Sequence, residues 1–154
     1  LIPSPKVTTY DLKPEMSAYE ITDVLTKEID KKIYDFIVVN YANGDMVGHT
    51  GNLEATIKSL ECLDECLGKL YESSIENDYT LIVTADHGNS DYMLDEDNNV
   101  ITTHSTSLVP FIITDKSYQV IDGKLSDIAP TILELMELDI PKEMTGNIII
   151  KKYR

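Results

Sequence analysis

Leu81-Ile82-Val83-Thr84-Ala85-Asp86-His87-Gly88 is the stretch that decides the fold. It opens as a short apolar run with β-branched residues, the pattern of a buried strand. It closes on an acid, an imidazole and a glycine. Ligands in α/β proteins bind beyond the carboxyl ends of strands, so this strand is read as delivering two metal ligands, Asp86 and His87. Gly88 permits a sharp turn or a close approach. Further buried strands are expected at 34–40 and 109–114, with helical spacing between them. Helices alternating with buried strands predict an α/β fold: a mostly parallel sheet with helices on both faces.

The 154 residues make one domain, or a large piece of one. Thirteen Lys and Arg against 27 Asp and Glu leave a net charge of −14. That balance disfavours nucleic acid and anionic membranes as partners. No apolar run reaches the 18 or more residues of a membrane span. Leu1-Ile2-Pro3-Ser4-Pro5-Lys6 has neither the basic leader nor the apolar core of a signal peptide. Cys62 and Cys66 lie four apart on one expected helix and are read as free core thiols, which fits a cytoplasmic setting.

Prolines 3, 5 and 14 mark an extended connector or short edge strand. Ser17 and Glu20 have capping-box spacing ahead of Ile21, Val24, Leu25 and Ile29, so a helix is expected to about Lys32. Asn43-Gly44 is expected to turn the chain. A long helix follows Asn52, with Leu53, Ile57, Leu60, Leu63, Leu67 and Leu70 along the face read as buried. Residues 88–103 read as a polar hairpin or loop. Ser126-Asp127 is expected to cap a helix through Met136, and 148–150 to form a short strand.

The chain has three histidines, His49, His87 and His104, all in expected loops at strand ends. Asp45 and His49 stand at i and i+4, which on one helical turn share a face. Asp86 and His87 are adjacent, and His104 must fold back from a loop before a strand. Any one of these is more often a hydrogen-bonded surface residue than a ligand. Together they give five nitrogen and oxygen donors, too many for one three-ligand catalytic site and suited to a pair of ions. Imidazole with carboxylate suits Zn, Mn, Fe or Co, and sequence does not choose among them.

These residues resemble the cofactor-independent (2,3-bisphosphoglycerate-independent) phosphoglycerate mutases of the alkaline phosphatase superfamily. The resemblance rests on Thr9-Tyr10-Asp11-Leu12-Lys13-Pro14-Glu15-Met16-Ser17-Ala18, Asn43-Gly44-Asp45-Met46-Val47-Gly48-His49-Thr50-Gly51-Asn52, Thr84-Ala85-Asp86-His87-Gly88-Asn89, His104-Ser105-Thr106 and Asp127-Ile128-Ala129-Pro130-Thr131. It implies an alkaline-phosphatase-like fold, with residues 1–154 the carboxyl-terminal part of the metal-binding domain. It implies interconversion of 3-phosphoglycerate and 2-phosphoglycerate through a phosphoserine and two Mn²⁺, with Zn²⁺, Co²⁺ or Mg²⁺ as alternatives. Asp45, His49 and His104 would ligate one ion, and Asp86 and His87 the other.

In such enzymes the second ion also takes an Asp and the nucleophilic Ser from an amino-terminal segment. An inserted transferase domain holds the phosphoglycerate. Neither segment, nor the family's catalytic Lys, has a counterpart here, and no serine of this chain sits in the nucleophile's motif. The chain alone is therefore expected to be inactive. Two competing readings are another metal-dependent phosphatase or phosphomutase of the superfamily, and a non-catalytic metal-binding module.

Overall fold

The computed structural model describes residues 1–153, which form two compact units. The first comprises Leu1–Tyr79 and His87–Val109; the second comprises Thr80–Asp86 and Pro110–Arg154.

The first unit is mainly helical: α1 (Ala18–Asp30), a single short turn α2 (Asn43–Gly48) and the long α3 (Leu53–Glu76). Asn52 caps α3 as its position suggests, its side chain accepting from the Ala55 amide at 3.1 Å. Ser17 does not cap α1. Its hydroxyl donates to the Pro3 carbonyl at 2.8 Å, tying the connector to the helix start. No strand forms in the connector, whose one regular piece is a 3-10 turn at Tyr10–Leu12.

Helix α3 buries only part of the face its leucines suggest: Leu70 is buried and Leu63 and Leu67 are half-buried, but the amino-terminal half turns its small residues inward. Ala55, Thr56, Ser59, Cys62, Cys66, Leu70 and Ser74 are buried, whereas Leu53, Ile57 and Leu60 are exposed. The reason is α1, which meets α3 through Ala18. Small residues let the two backbones approach there, with Leu63 packed against the edge of the contact. The thiols of Cys62 and Cys66 are free and buried in this contact, as expected. A second cluster, Met16, Val47 and Ala55 with Tyr10 and Ala42 against it, seats α2.

The mostly parallel sheet is not formed among the described residues. In the second unit β1 (Ile82–Thr84) pairs antiparallel with β2 (Phe111–Ile113), and β3 (Tyr118–Val120) pairs antiparallel with β4 (Ile150–Lys152). These are two separate two-stranded sheets. The stretch 34–40, expected as a central strand, forms no ladder, and Phe36, Val38 and Val39 are exposed. A strand is defined by its neighbours' hydrogen bonds, and this apolar run has none to pair with among the described residues. The fold is α/β in content, and its periodicity misled about pairing.

Helix α4 (Ile128–Leu135) follows a 3-10 turn at Leu125–Asp127. Asp127 does not cap α4 with its side chain. Its buried carboxylate instead accepts from the Lys124 amide at 2.9 Å and the Asn147 amide at 2.8 Å, joining the helix start to the segment before β4. Those two amides, Asn147 first, hold its carboxyl below the usual carboxylate range. The folded value thus lies below the unfolded value of about 3.9. The stabilisation is complete above that value and drains away as pH falls through the folded one. Asp127→Asn is expected to lower the melting temperature at pH 7, with the gap from wild type closing towards pH 3. Thermal melts across that range check it; a gap independent of pH would refute it.

Candidate metal centre

Helix α2 is a rigid mount for Asp45. The buried Asn43 amide donates to the carbonyls of Pro14 (3.0 Å) and Glu15 (2.9 Å), while Val47 is fully buried beneath. His49 follows at the helix end with its amide bonded to the Asp45 carbonyl. Their side chains share one face, as the i, i+4 spacing requires, and His49 Nε2 lies 3.1 Å from Asp45 Oδ1. The imidazole of His104 arrives from a loop 55 residues later. Its Nε2 lies 3.1 Å from Asp45 Oδ1 and 3.1 Å from His49 Nε2.

His87 completes the group. Its ring stacks on that of His104 with centroids 3.7 Å apart and 15° between planes, and its Nε2 stands 4.0 Å from Asp45 Oδ1. Donor atoms of Asp45, His87 and His104 all lie within 4.8 Å of one another. Four of the five sequence-derived candidates therefore converge within the first unit, as two triads sharing Asp45 and His104. Asp86, at the end of β1, belongs to the second unit and is exposed.

The donor chemistry fits a divalent cation. His49 Nδ1 is 2.6 Å from the Thr102 carbonyl. A carbonyl only accepts, so Nδ1 carries the proton and donates. In the neutral ring Nε2 is then a bare lone pair, and it faces a carboxylate oxygen. Two acceptors at 3.1 Å repel unless a proton or a cation lies between them. Two ligand atoms at right angles around an ion ~2.1 Å away stand about 3.0 Å apart, close to the spacing of this triad.

Several supporting residues carried no role in the sequence. The buried Asn89 donates through Nδ2 to Asp45 Oδ1 at 2.8 Å, which fixes the carboxylate's orientation. Gly48 allows this approach, since a Cβ there would run into the side-chain Oδ1 of Asn89. Asp91 accepts hydroxyl hydrogen bonds, and Ser107 and Ser105, in that order, hold its carboxyl below the usual range. Asn89 sits two residues past His87, a polar neighbour that could have been suspected. The Thr102 carbonyl has no sequence signal, because every residue has one.

Residues 1–140 match the metalloenzyme superfamily. The chain belongs to that superfamily. It is 55% identical, over 99% of its length, to a 2,3-bisphosphoglycerate-independent phosphoglycerate mutase of Clostridioides difficile (strain 630), and covers 31% of that protein. The corresponding mutase of Staphylococcus aureus (strain Mu50) is 51% identical over 98% of this chain and 30% of the relative. A crystal structure of Leishmania mexicana phosphoglycerate mutase at low cobalt concentration superposes with a TM-score of 0.86 at 32% identity, covering 99% of this chain and 31% of that one. The chain thus spans about a third of the length of the mutases it matches. The resemblance read from its motifs holds along essentially the whole chain. No helix among the described residues is long and apolar enough to cross a membrane.

Proposed function

We propose that this chain is the metal-binding part of a 2,3-bisphosphoglycerate-independent phosphoglycerate mutase. The observation that carries this reading is the gathering of all three imidazoles around Asp45 Oδ1 from segments far apart in sequence. Asp45, His49 and His104 would hold one Mn²⁺, and Asp86 and His87 would contribute to a second. When bound, such a pair would supply positive charge to the oxygens of a phosphoryl group in transfer. The chain's own residues have a narrower task. Thr102 and Asn89 keep His49 Nε2 and Asp45 Oδ1 aimed at one point. His87 and His104 stack, so neither ring swings out of place.

The nucleophilic serine, the remaining ligands and the groups that grip the phosphoglycerate would come from the larger part of the mutases that this chain does not span. Charge supports that division. Phosphoglycerate is an anion, this chain carries −14, and Arg154 is its only arginine. A polypeptide of that balance repels such a substrate unless cations come from elsewhere. The 154-residue chain by itself, in a soluble cytoplasmic setting, would accordingly turn over no substrate.

A chimera tests the reading. Residues 1–154 replace the matching third of the Clostridioides difficile mutase, and conversion of 3-phosphoglycerate is followed through enolase. The chimera is expected to isomerise with Mn²⁺ present, while the 154-residue chain gives no signal. A folded, metal-loaded chimera that only releases phosphate would favour a phosphatase instead.

A further inference from the structure

The loop carrying His104 has few internal restraints. Residues 101–110 contain neither helix nor strand, only the isolated bridge between Ser105 and Gly88. In that bridge the Ser105 amide donates to the Gly88 carbonyl at 2.8 Å. The Ser105 hydroxyl then reaches both carboxylate oxygens of Asp91, at 2.9 and 3.1 Å. The Ser107 amide donates in turn to the Ser105 hydroxyl at 3.3 Å.

Gly88 is the floor of this arrangement. A Cβ at that position would strike the Ser105 hydroxyl and would come within 2.6 Å of Asp91 Oδ1. Glycine here lets the turn after His87 and the loop after His104 lie backbone against side chain. Each interlocked residue is one step from a stacked imidazole: Gly88 follows His87 and Ser105 follows His104. The hydrogen bonds of Asp91 therefore bear on the separation of two rings that both face Asp45.

We propose that Asp91 is a positioning residue of the metal centre: by holding the Ser105 hydroxyl it clamps the His104 loop to the His87 turn and sets the spacing of the two imidazoles. The proposal rests on the reading of these imidazoles as metal ligands. The effect of Asp91 passes through Ser105, as an outer partner that orients ligands. Asn89 acts on the carboxylate side of the centre, and Asp91 on the imidazole side.

Co²⁺ titration of the 154-residue chain, read by visible absorption, tests it alongside thermal melts of the metal-free protein. Asp91→Ala and Ser105→Ala are each expected to weaken Co²⁺ binding about 10- to 100-fold. The double variant is expected to be no worse than Asp91→Ala, because with Asp91 gone the Ser105 hydroxyl has no carboxylate to hold. Asp91→Asn, whose carbonyl still accepts, should recover most of the affinity, and metal-free melting should not track these losses. Wild-type affinity in both single variants overturns the proposal, as do fully additive losses in the double one. Should Asp91→Ala fail to fold, Ser105→Ala alone decides between these results. Failure of the wild-type chain to bind Co²⁺ is a separate result that removes the metal reading, and this proposal with it.

Discussion

Asp45→Ala is expected to abolish the Mn²⁺ binding that centres on Asp45 Oδ1, more completely than loss of any single histidine. Both triads use Oδ1: His49 and His104 approach it at 3.1 Å and His87 at 4.0 Å. His49→Ala or His87→Ala removes one donor and leaves a carboxylate with two imidazoles. Asp45→Ala removes the shared donor and the cluster's negative charge, leaving three neutral rings to hold a cation. The loss should exceed the roughly 10- to 100-fold that an outer-shell change costs. Asn43 and Val47 keep α2 in place without Asp45, so the fold should persist. Calorimetric titration with Mn²⁺, beside circular dichroism, reads this directly. An unchanged affinity in folded Asp45→Ala would place the ion elsewhere.

Metal should also stabilise the chain strongly. The chain carries −14 and the centre places Asp45 within it. A cation offsets that charge, and it binds the folded arrangement alone because the ligands are dispersed when unfolded. At a concentration about 100 times Kd, binding adds roughly 2.7 kcal/mol. At about 2–4 °C per kcal/mol for a chain of this size, Mn²⁺ should raise the melting temperature of the chain by roughly 5–10 °C. Chelator should reverse the shift, and His104→Ala should shrink it. Neutral imidazole is the ligating form, so the gain should fall away in acid. Superimposable melts with and without saturating Mn²⁺ would contradict the assignment.

The candidate site was more legible in the sequence than the fold. Helical spacing alone put Asp45 and His49 on one face, and the structure joins them. The helix at 53–76 could be read from its periodicity and its Asn52 cap, as could the free thiols at Cys62 and Cys66. Its buried face was legible only in its carboxyl-terminal half, where Leu70 is buried. Leu53, Ile57 and Leu60 have the apolar character of a core face, yet the partner α1 meets the small residues beside them. The strand at 34–40 failed in a related way. Its composition is that of a strand, but composition does not supply the neighbour whose amides and carbonyls make it one.

What the sequence by itself determined is local: residue type, the existence of the long helix with its Asn52 cap, and which side chains could serve as donors. Those depend on interactions within a few residues, which periodicity records. Only the tertiary structure decided that His104 crosses 55 positions to reach His49, that β1 pairs antiparallel with β2, and that Thr102, Asn89 and Asp91 hold the donors in place. These depend on which distant backbones come together. That choice is made by packing and by the satisfaction of buried polar groups across the whole chain, and no short window of sequence contains it.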